Sequence, residues 1–345
     1  MGDSDVRELP GLDLDRLAAW LAATRADFVT GPLTGRLIAG GRSNLTYLIG
    51  DGSSEWILRR PPLGHVLATA HDMGREYRVM SALAGTDVPV PRTYVHCADD
   101  DVLGAPFYLM ENVAGTPYRA AAELVAVGPE RTRVISAGMV DALAALHSVD
   151  PVSVGLGDFG RATGFLERQV HRWKKQLDAS YSRDLPGADE LYALLAERQP
   201  EQSPDGIVHG DYRLDNILVD AQDRVAGVID WEMATLGDPL TDVALLLLYQ
   251  RLGELGLPGV SDASGAPGFL SETEILDRYA ERSGRDLAHL GFYLGLAAFK
   301  LGAILEGIHY RYLHGQTVGS GFDKIGDAVE PLLRAGITSV KEENR

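Results

Sequence analysis

Apolar residues recur along this chain with two periods, and each period predicts a different kind of element. Short apolar runs flank a glycine turn within 37–49, and others begin the segments 56–60 and 106–113, which is typical of strands. Residues 131–147 instead carry apolar side chains at helical spacing, namely Val134, Ile135, Met139, Leu143 and Leu146. We therefore predict an α+β fold, with a small sheet-based unit in residues 1–112 and a mainly helical unit in residues 113–345.

The same patterns predict further elements in both units. Residues 11–29 are expected to form a helix whose apolar side is Leu17, Trp20, Leu21 and Phe28, and a proline-bounded strand is expected at 88–95. Later in the chain, apolar runs occupy 206–208, 217–219 and 225–229. Because the turn-like segment 220–223 separates the last two runs, they predict a hairpin.

Candidate chemistry lies around that hairpin. His209 and Gly210 precede Asp211, Asn216 follows five residues after Asp211, and Asp230 ends the second apolar run. Phosphoryl transfer from ATP needs a carboxylate to accept the proton of the acceptor hydroxyl, and oxygen ligands to hold Mg²⁺ on the phosphates. Protein kinases place Asp and Asn at this spacing and a further Asp on the metal. The alternative is a surface hairpin, since Asp and Asn are ordinary turn residues.

Phosphate-binding features precede this motif. The glycine turn holds Gly40 and Gly41, followed by Ser43 and Asn44, and glycines let backbone amides approach an anion closely. The strand at 56–60 ends in Arg59 and Arg60, at the place where protein kinases carry a lysine paired with a helix glutamate. Arg59 is the better match, Arg60 is the alternative, and Glu76 is the expected partner. An ordinary hairpin would also explain the glycine turn.

The run at 106–113 is the expected strand and hinge against which adenine would lie, so Glu111 and Val113 join the predicted nucleotide-binding residues. An ordinary buried strand explains the same pattern.

These motifs together resemble the aminoglycoside phosphotransferase and choline-kinase-like family. The resemblance implies a bilobal protein-kinase-like fold, a catalytic role for Asp211, and Mg²⁺ ligation by Asn216 and Asp230. It also implies that Asp242, in the stretch 237–244, buttresses the catalytic loop. Segments 58–62, 166–173 and 299–308 are similar to kinase domains fused to, or encoded beside, acyl-CoA dehydrogenases, and Arg at the third strand is usual in that subgroup.

This resemblance implies an ATP- and Mg²⁺-dependent kinase for a hydroxyl of a small molecule, such as a hydroxyacyl acid or hydroxyacyl-CoA. Enzymes of acyl-CoA metabolism are the partners it suggests. The alternatives are an aminoglycoside-type antibiotic phosphotransferase and a catalytically weak nucleotide-binding protein on the same fold. The choice between ATP and GTP as donor stays open.

Composition narrows the partners. The net charge of −17, from 32 basic and 49 acidic residues, argues against nucleic acid. The single cysteine, Cys97, cannot form an internal disulfide. The longest strongly apolar run, 243–249, is shorter than a membrane helix needs, and the acidic N-terminus does not resemble a signal peptide. We expect no membrane association and a cytoplasmic location.

One predicted helix, around 166–177, carries separate apolar and cationic faces. Leu166, Val170, Trp173 and Leu177 form the apolar face, and Arg168, His171, Arg172 and Lys175 form the opposite one. A basic stripe of this kind is either a solvated face or a wall that binds an anionic substrate. Arg168, Arg172 and Lys175 are therefore the candidate substrate-binding residues.

Overall fold

A computed structural model describes residues 9–38, 44–63, 72–254, 261–317 and 322–342. The chain divides into two compact units. The first comprises Met1–Gly85, Pro89–Ala114 and Gly227–Glu232, and the second comprises Thr86–Val88, Gly115–Ala226 and Met233–Arg345. The predicted division after residue 112 did not anticipate that residues 227–232 pack with the first unit.

An antiparallel sheet forms the first unit. Its strand order is β1-β2-β3-β5-β4. The strands are β1 (Thr34–Leu37), β2 (Leu45–Gly50), β3 (Glu55–Arg60), β4 (Thr93–Cys97) and β5 (Phe107–Glu111). The helices of this unit are α1 (Leu14–Thr24), α2 (Met73–Leu83) and α3 (Asp100–Leu103). The small antiparallel sheet expected from the sequence is confirmed.

Two predicted boundaries in this unit were wrong. Helix α1 ends at Thr24 and not near residue 29, although Leu17 and Leu21 are buried as expected. The strand predicted at 88–95 begins only at Thr93. Pro89 and Pro91 have no backbone N–H to donate to a neighbouring strand, so the segment before Thr93 cannot pair regularly.

The second unit is mainly helical. Its helices are α4 (Ala121–Val127), α5 (Pro129–Ser148), α6 (Phe165–Ala179), α7 (Ala188–Glu197), α8 (Leu240–Glu254), α9 (Glu272–Ser283), α10 (Leu290–Leu313) and α11 (Val329–Glu342). Strand β6 (Gly206–Val208) pairs with β9 (Thr235–Gly237). Strands β7 (Ile217–Val219) and β8 (Val225–Val228) form the predicted hairpin. The predicted core face of α5 is confirmed except at Val134, whose residue surface is 54% exposed.

Helix α10 is the central helix of this unit. It packs against α6, α8 and α11. Its length and its mean hydropathy of 1.4 would suffice to cross a membrane, although the sequence pattern predicted no helix of this kind. However, 78% of its most apolar stretch is buried inside the protein. That burial is expected of a core helix, and α10 is therefore the helix against which its neighbours pack.

Candidate active site

Strand β3 directs Arg59, the better match in the sequence, and Arg60, the alternative, to different surroundings. Successive side chains of a strand point to opposite faces of the sheet. Arg60 donates to the carbonyl oxygens of Gly11 and Leu103, the latter at 2.8 Å. Arg59 points to the other face, where its Nη1 lies 3.5 Å from Oε2 of Glu76. The predicted pairing of Arg59 with Glu76 is confirmed.

Glu76 is the centre of a buried polar cluster in the first unit. It lies in the first turn of α2 and is 1% exposed. The hydroxyl of Tyr108 donates to its Oε2 at 2.8 Å, and Nδ2 of Asn44 donates to its Oε1 at 3.2 Å. Burial raises the pKa of Glu76, and the charge of Arg59 opposes that rise. The carboxylate therefore depends on Arg59 for its compensating charge.

Asp230, which is distant from Arg59 in sequence, completes the cluster. Nη2 of Arg59 donates to its Oδ1 at 3.0 Å. Asp230 has a φ of 68°, a left-handed conformation that is uncommon outside glycine and that asparagine and aspartate tolerate best. The adjacent Trp231, whose Nε1 donates to the carbonyl oxygen of Val228 at 2.9 Å, helps to fix this turn. Strained conformations of this kind are kept where the surrounding structure holds them.

The other predicted nucleotide-binding residues have different surroundings. Gly40, Gly41 and Ser43 lie outside the described residues. Asn44 is buried, and its Nδ2 also donates to Glu232 at 3.1 Å, while its Oδ1 has no partner in the described part of the chain. Glu111 is exposed at the end of β5 and Val113 is half-buried just beyond it.

The catalytic-loop motif of the second unit, residues 209–216, is fixed by hydrogen bonds that its backbone N–H groups donate. The N–H groups of His209 and Gly210 donate to Asp242, at 2.6 and 2.8 Å. The N–H of Asp211 donates to Nδ1 of the buried His209 at 3.2 Å. Gly210 has a φ of +84°, and a Cβ there would lie 2.8 Å from the carbonyl oxygen of Met233. Asp242 therefore buttresses this loop as the resemblance implied, His209 braces the backbone of Asp211, and Gly210 is required sterically.

Asp242 is itself fixed from behind. Nε2 of His147 lies 3.3 Å from its Oδ2, and Nδ1 of that histidine lies 2.7 Å from the hydroxyl of Tyr279. Burial would raise the pKa of Asp242, but the hydrogen bond and charge of His147 and the N–H of Gly210 lower it. Asp242 is therefore held as the anion that the loop amides bind.

The side chain of Asp211 is oriented by two neutral donors. The hydroxyl of Tyr249 donates to Oδ1 at 2.9 Å, and Nδ2 of Asn216 donates to Oδ2 at 3.1 Å. Arg213 lies near, with Nε 3.4 Å from Oδ2, but its Nη1 is bound to Asp215 at 2.8 Å. The Asp211 side chain remains 24% exposed. This arrangement fixes a partly accessible carboxylate that can accept a proton.

Asn216 in the second unit and Asp230 in the first each present an oxygen of the kind that ligates magnesium. Both hydrogen bonds of the Asn216 side chain use Nδ2, which leaves its Oδ1 without a hydrogen bond to the described residues. Arg59 contacts only Oδ1 of Asp230, whose side chain is 28% exposed. Magnesium is usually held by one or two carboxylates together with nucleotide phosphates and water. Within the described ranges, no group of three or more His, Cys, Asp or Glu residues could hold a metal by itself.

An open pocket lies beside the catalytic loop within the second unit. It has about 530 Å³ of empty volume and is lined by Gly210, by residues of α6, α8 and α10, and by β9. Its wall is largely apolar, with Phe165, Met233 and Leu296 among the lining residues. Arg172 and Lys300 supply its positive charge, and no aspartate or glutamate of the described chain lines it.

Helix α6 confirms its predicted apolar face, since Leu166, Val170, Trp173 and Leu177 are all buried. The candidate substrate-binding residues of the predicted cationic face do not line the pocket together. Arg172 lines the pocket, whereas Arg168 donates to the carbonyl oxygens of Arg161 and Thr163. Lys175 is exposed and does not line the pocket.

Sequence reasoning missed two residues that contact the loop. Nζ of Lys300 donates to the carbonyl oxygen of Gly210 at 2.5 Å, and Tyr249 binds Asp211. Lys300 lies within the segment 299–308 that resembles kinase domains associated with acyl-CoA dehydrogenases, but the resemblance implied no role for it. A lysine within the long apolar run of α10 is the signal that could have drawn attention to it, because an isolated cation in a core helix is costly.

Comparison with known proteins agrees with this geometry. Residues 34–287 match the Phosphotransferase enzyme family, and the chain belongs to that family. It is 35% identical over 97% of its length to Acyl-CoA dehydrogenase family member 11 of Gallus gallus, and it spans 44% of the length of that relative. The resemblance predicted from the motifs, including the acyl-CoA dehydrogenase subgroup, is confirmed.

Solved structures place the fold. The crystal structure of a "putative aminoglycoside phosphotransferase" from Ralstonia eutropha is 33% identical, with a TM-score of 0.84 over 96% of this chain and 98% of the other. A thermostable mutant of an aminoglycoside phosphotransferase, in ternary complex with AMP-PNP and hygromycin B, has a TM-score of 0.61 at 16% identity over 94% and 98% of the two chains. The predicted kinase-like α+β fold is therefore confirmed.

Proposed function

We propose that this protein is an ATP- and Mg²⁺-dependent phosphotransferase that phosphorylates a hydroxyl of a small hydroxyacyl acid or hydroxyacyl-CoA. The observation that carries the proposal is the orientation of Asp211. Its backbone is held by His209, and its carboxylate is held by Tyr249 and Asn216. A carboxylate fixed in this way can receive the proton of an acceptor hydroxyl as its oxygen attacks phosphorus.

The remaining roles follow the chemistry of each side chain. Asn216 and Asp230 would ligate Mg²⁺, which neutralises charge on the phosphates. Arg59 would grip the nucleotide phosphates, exchanging part of its bond to Asp230 for them, while Glu76 keeps the guanidinium in place. Gly40, Gly41, Ser43 and Asn44 would cover the phosphates, and Glu111 and Val113 would border the adenine.

The acceptor class is supported by the pocket and by the relatives. Aminoglycosides carry several ammonium groups and need carboxylates, but the described lining of the pocket holds Arg172 and Lys300 and no acidic residue. An acid or a CoA thioester carries negative charge and suits that lining. The acyl-CoA dehydrogenase name of the relative points to acyl compounds as well. Enzymes that handle acyl-CoA are accordingly the proposed partners.

The test is an acceptor screen with purified protein. Transfer of the γ-phosphoryl group from ATP or GTP is measured to 3-, 4- and 5-hydroxyoctanoate, to their CoA thioesters and to kanamycin, with Mg²⁺ or with EDTA. We expect Mg²⁺-dependent transfer to a hydroxyacyl compound, and Asp211→Asn should lower it about a hundredfold to ten-thousandfold. The control is Asp189→Asn, at a side chain that is 91% exposed.

Two results would count against the proposal. Turnover of kanamycin with none of the hydroxyacyl compounds would contradict the acceptor class. Nucleotide binding without transfer to any acceptor would favour a nucleotide-binding protein that lacks catalysis.

A further inference from the structure

Lys300 is an unusual residue for its position. It occurs in the central helix α10, and its ammonium faces the pocket beside the catalytic loop. Nζ uses one of its three donors on the carbonyl oxygen of Gly210. Among the described residues no carboxylate lies within ion-pair distance of Nζ. In a chain with 49 acidic residues, a half-buried lysine without a paired anion needs an explanation.

A second cation, Arg172, lines the same pocket and lies near the same aromatic ring as Lys300. Cζ of Arg172 is 5.3 Å from the centre of the Trp173 ring, and Nζ of Lys300 is 5.5 Å from the same centre. Arg172 has no ion pair with the described residues either. Desolvation lowers the pKa of Lys300, the carboxylates of Asp211 and Asp242 raise it, and the charge of Arg172 lowers it again. The two cations therefore repel each other, and a bound anion would relieve that repulsion.

The apolar part of the pocket lining indicates what kind of molecule carries the anionic group. Its wall includes Phe165, Val208, Met233, Leu245 and Leu296, which suit a hydrocarbon chain. The phenol of the lining Tyr293 is already used, since it donates to Asp238 at 2.7 Å. A ligand with an apolar body and one anionic group satisfies both parts of the lining.

We propose that Lys300 and Arg172 form an anion-binding subsite that holds the carboxylate or phosphate of an amphipathic acyl ligand against the catalytic loop. Two donors of Lys300 remain for the anion, and the third ties its position to Gly210, the residue before Asp211. Lys300 thus couples the place of the anion to the place of the catalytic carboxylate. The identification of this ligand with the phosphate acceptor rests on the proposed function, whereas the subsite itself does not.

Binding in the absence of nucleotide tests the subsite directly. Calorimetry compares octanoate, which has the carboxylate, with 1-octanol, which lacks it, and with octanoyl-CoA, which carries phosphates in place of the carboxylate. We expect octanoate or octanoyl-CoA to bind and octanol to bind more weakly. Tight binding of octanoate assigns the anion to a carboxylate, and binding of octanoyl-CoA alone assigns it to a CoA phosphate.

Variants then assign the anion to its residues. Lys300→Met should weaken binding of the preferred anion about tenfold to a hundredfold, since it removes a charged donor. Arg172→Gln should weaken it about twofold to fivefold, because water screens the exposed guanidinium. Lys300→Arg should keep the preference over octanol. The control is Lys174→Met, because Nζ of Lys174 is paired with Asp178 at 2.6 Å and does not line the pocket.

The outcomes separate the subsite from the kinase. Equal affinity for the anion in wild type and Lys300→Met, or equal binding of octanol and the anion by wild type, would overturn the subsite. If the melting temperature of Lys300→Met falls, Arg172→Gln and Lys300→Arg give the answer. Lys300-dependent anion binding without phosphoryl transfer to any hydroxyoctanoate or its thioester would contradict the kinase proposal and leave the subsite standing.

Discussion

The two compact units hold their candidate functional carboxylates in different ways. In the first, Glu76 and Asp230 are compensated by the charge of one buried residue, Arg59. In the second, Asp211 is oriented mainly by the neutral side chains of Tyr249 and Asn216. Removing a member of a buried ionic cluster leaves an uncompensated charge, whereas removing a neutral donor leaves a partly solvated anion. Stability and function are therefore coupled in the first unit and separable in the second.

The largest effect is expected at Arg59. Arg59→Ala leaves Glu76 buried without its cation and should cost about 3–5 kcal/mol of the free energy of unfolding. It should also lower kcat/KM for ATP about tenfold to a hundredfold, by raising KM and lowering kcat. Arg59→Lys should recover part of the stability and part of kcat/KM. Denaturant titration and steady-state kinetics measure the two effects.

Arg60→Ala is the matched comparison for Arg59. Arg60 donates to backbone carbonyls on the opposite face of β3, so its loss should destabilise the protein without changing the KM for ATP. A raised KM in Arg60→Ala with normal kinetics in Arg59→Ala would reverse the assignment of the two arginines.

A pH dependence should follow in Arg59→Ala. The pKa of Glu76 is raised by burial, and without Arg59 it should rise further. A carboxyl with a higher pKa in the folded state binds its proton more tightly there, so the free energy of unfolding should increase as pH falls from 8 to 5. The slope is at most about 1.4 kcal/mol per pH unit for one proton. Wild type should gain less over this range, and equal pH profiles would show that Glu76 does not depend on Arg59.

These residues also show which parts of the candidate site can be predicted from the sequence. Asp211 and Asn216 were identified because their chemistry follows a fixed local spacing, and Asp242 was identified through the family resemblance. The sequence preferred Arg59 but kept Arg60 as an alternative, because the face of each side chain depends on the register of β3 with its neighbours. Lys300 contacts a residue 90 positions away, and a contact of that kind leaves no periodic signal in either segment.

A smaller effect is expected at Tyr249. Tyr249→Phe removes one hydrogen bond to Asp211 and should lower kcat about threefold to tenfold, with the KM for ATP unchanged. The control is Tyr212→Phe, at the residue that follows Asp211, whose hydroxyl donates to the carbonyl oxygen of Met139 at 2.7 Å. That variant should lose stability but keep kcat, and the opposite result would remove Tyr249 from the orientation of Asp211.

The central claim is that Asp230 acts through the metal and Asp211 through the acceptor. Calorimetric titration with AMP-PNP, in Mg²⁺ and in EDTA, separates these roles without any acceptor. We expect wild type and Asp211→Asn to bind with the same Kd in Mg²⁺. Asp230→Asn should bind about tenfold or more weakly and should no longer respond to EDTA. Equal Mg²⁺-dependent affinity in wild type and Asp230→Asn, or loss of nucleotide binding in Asp211→Asn, would contradict the account.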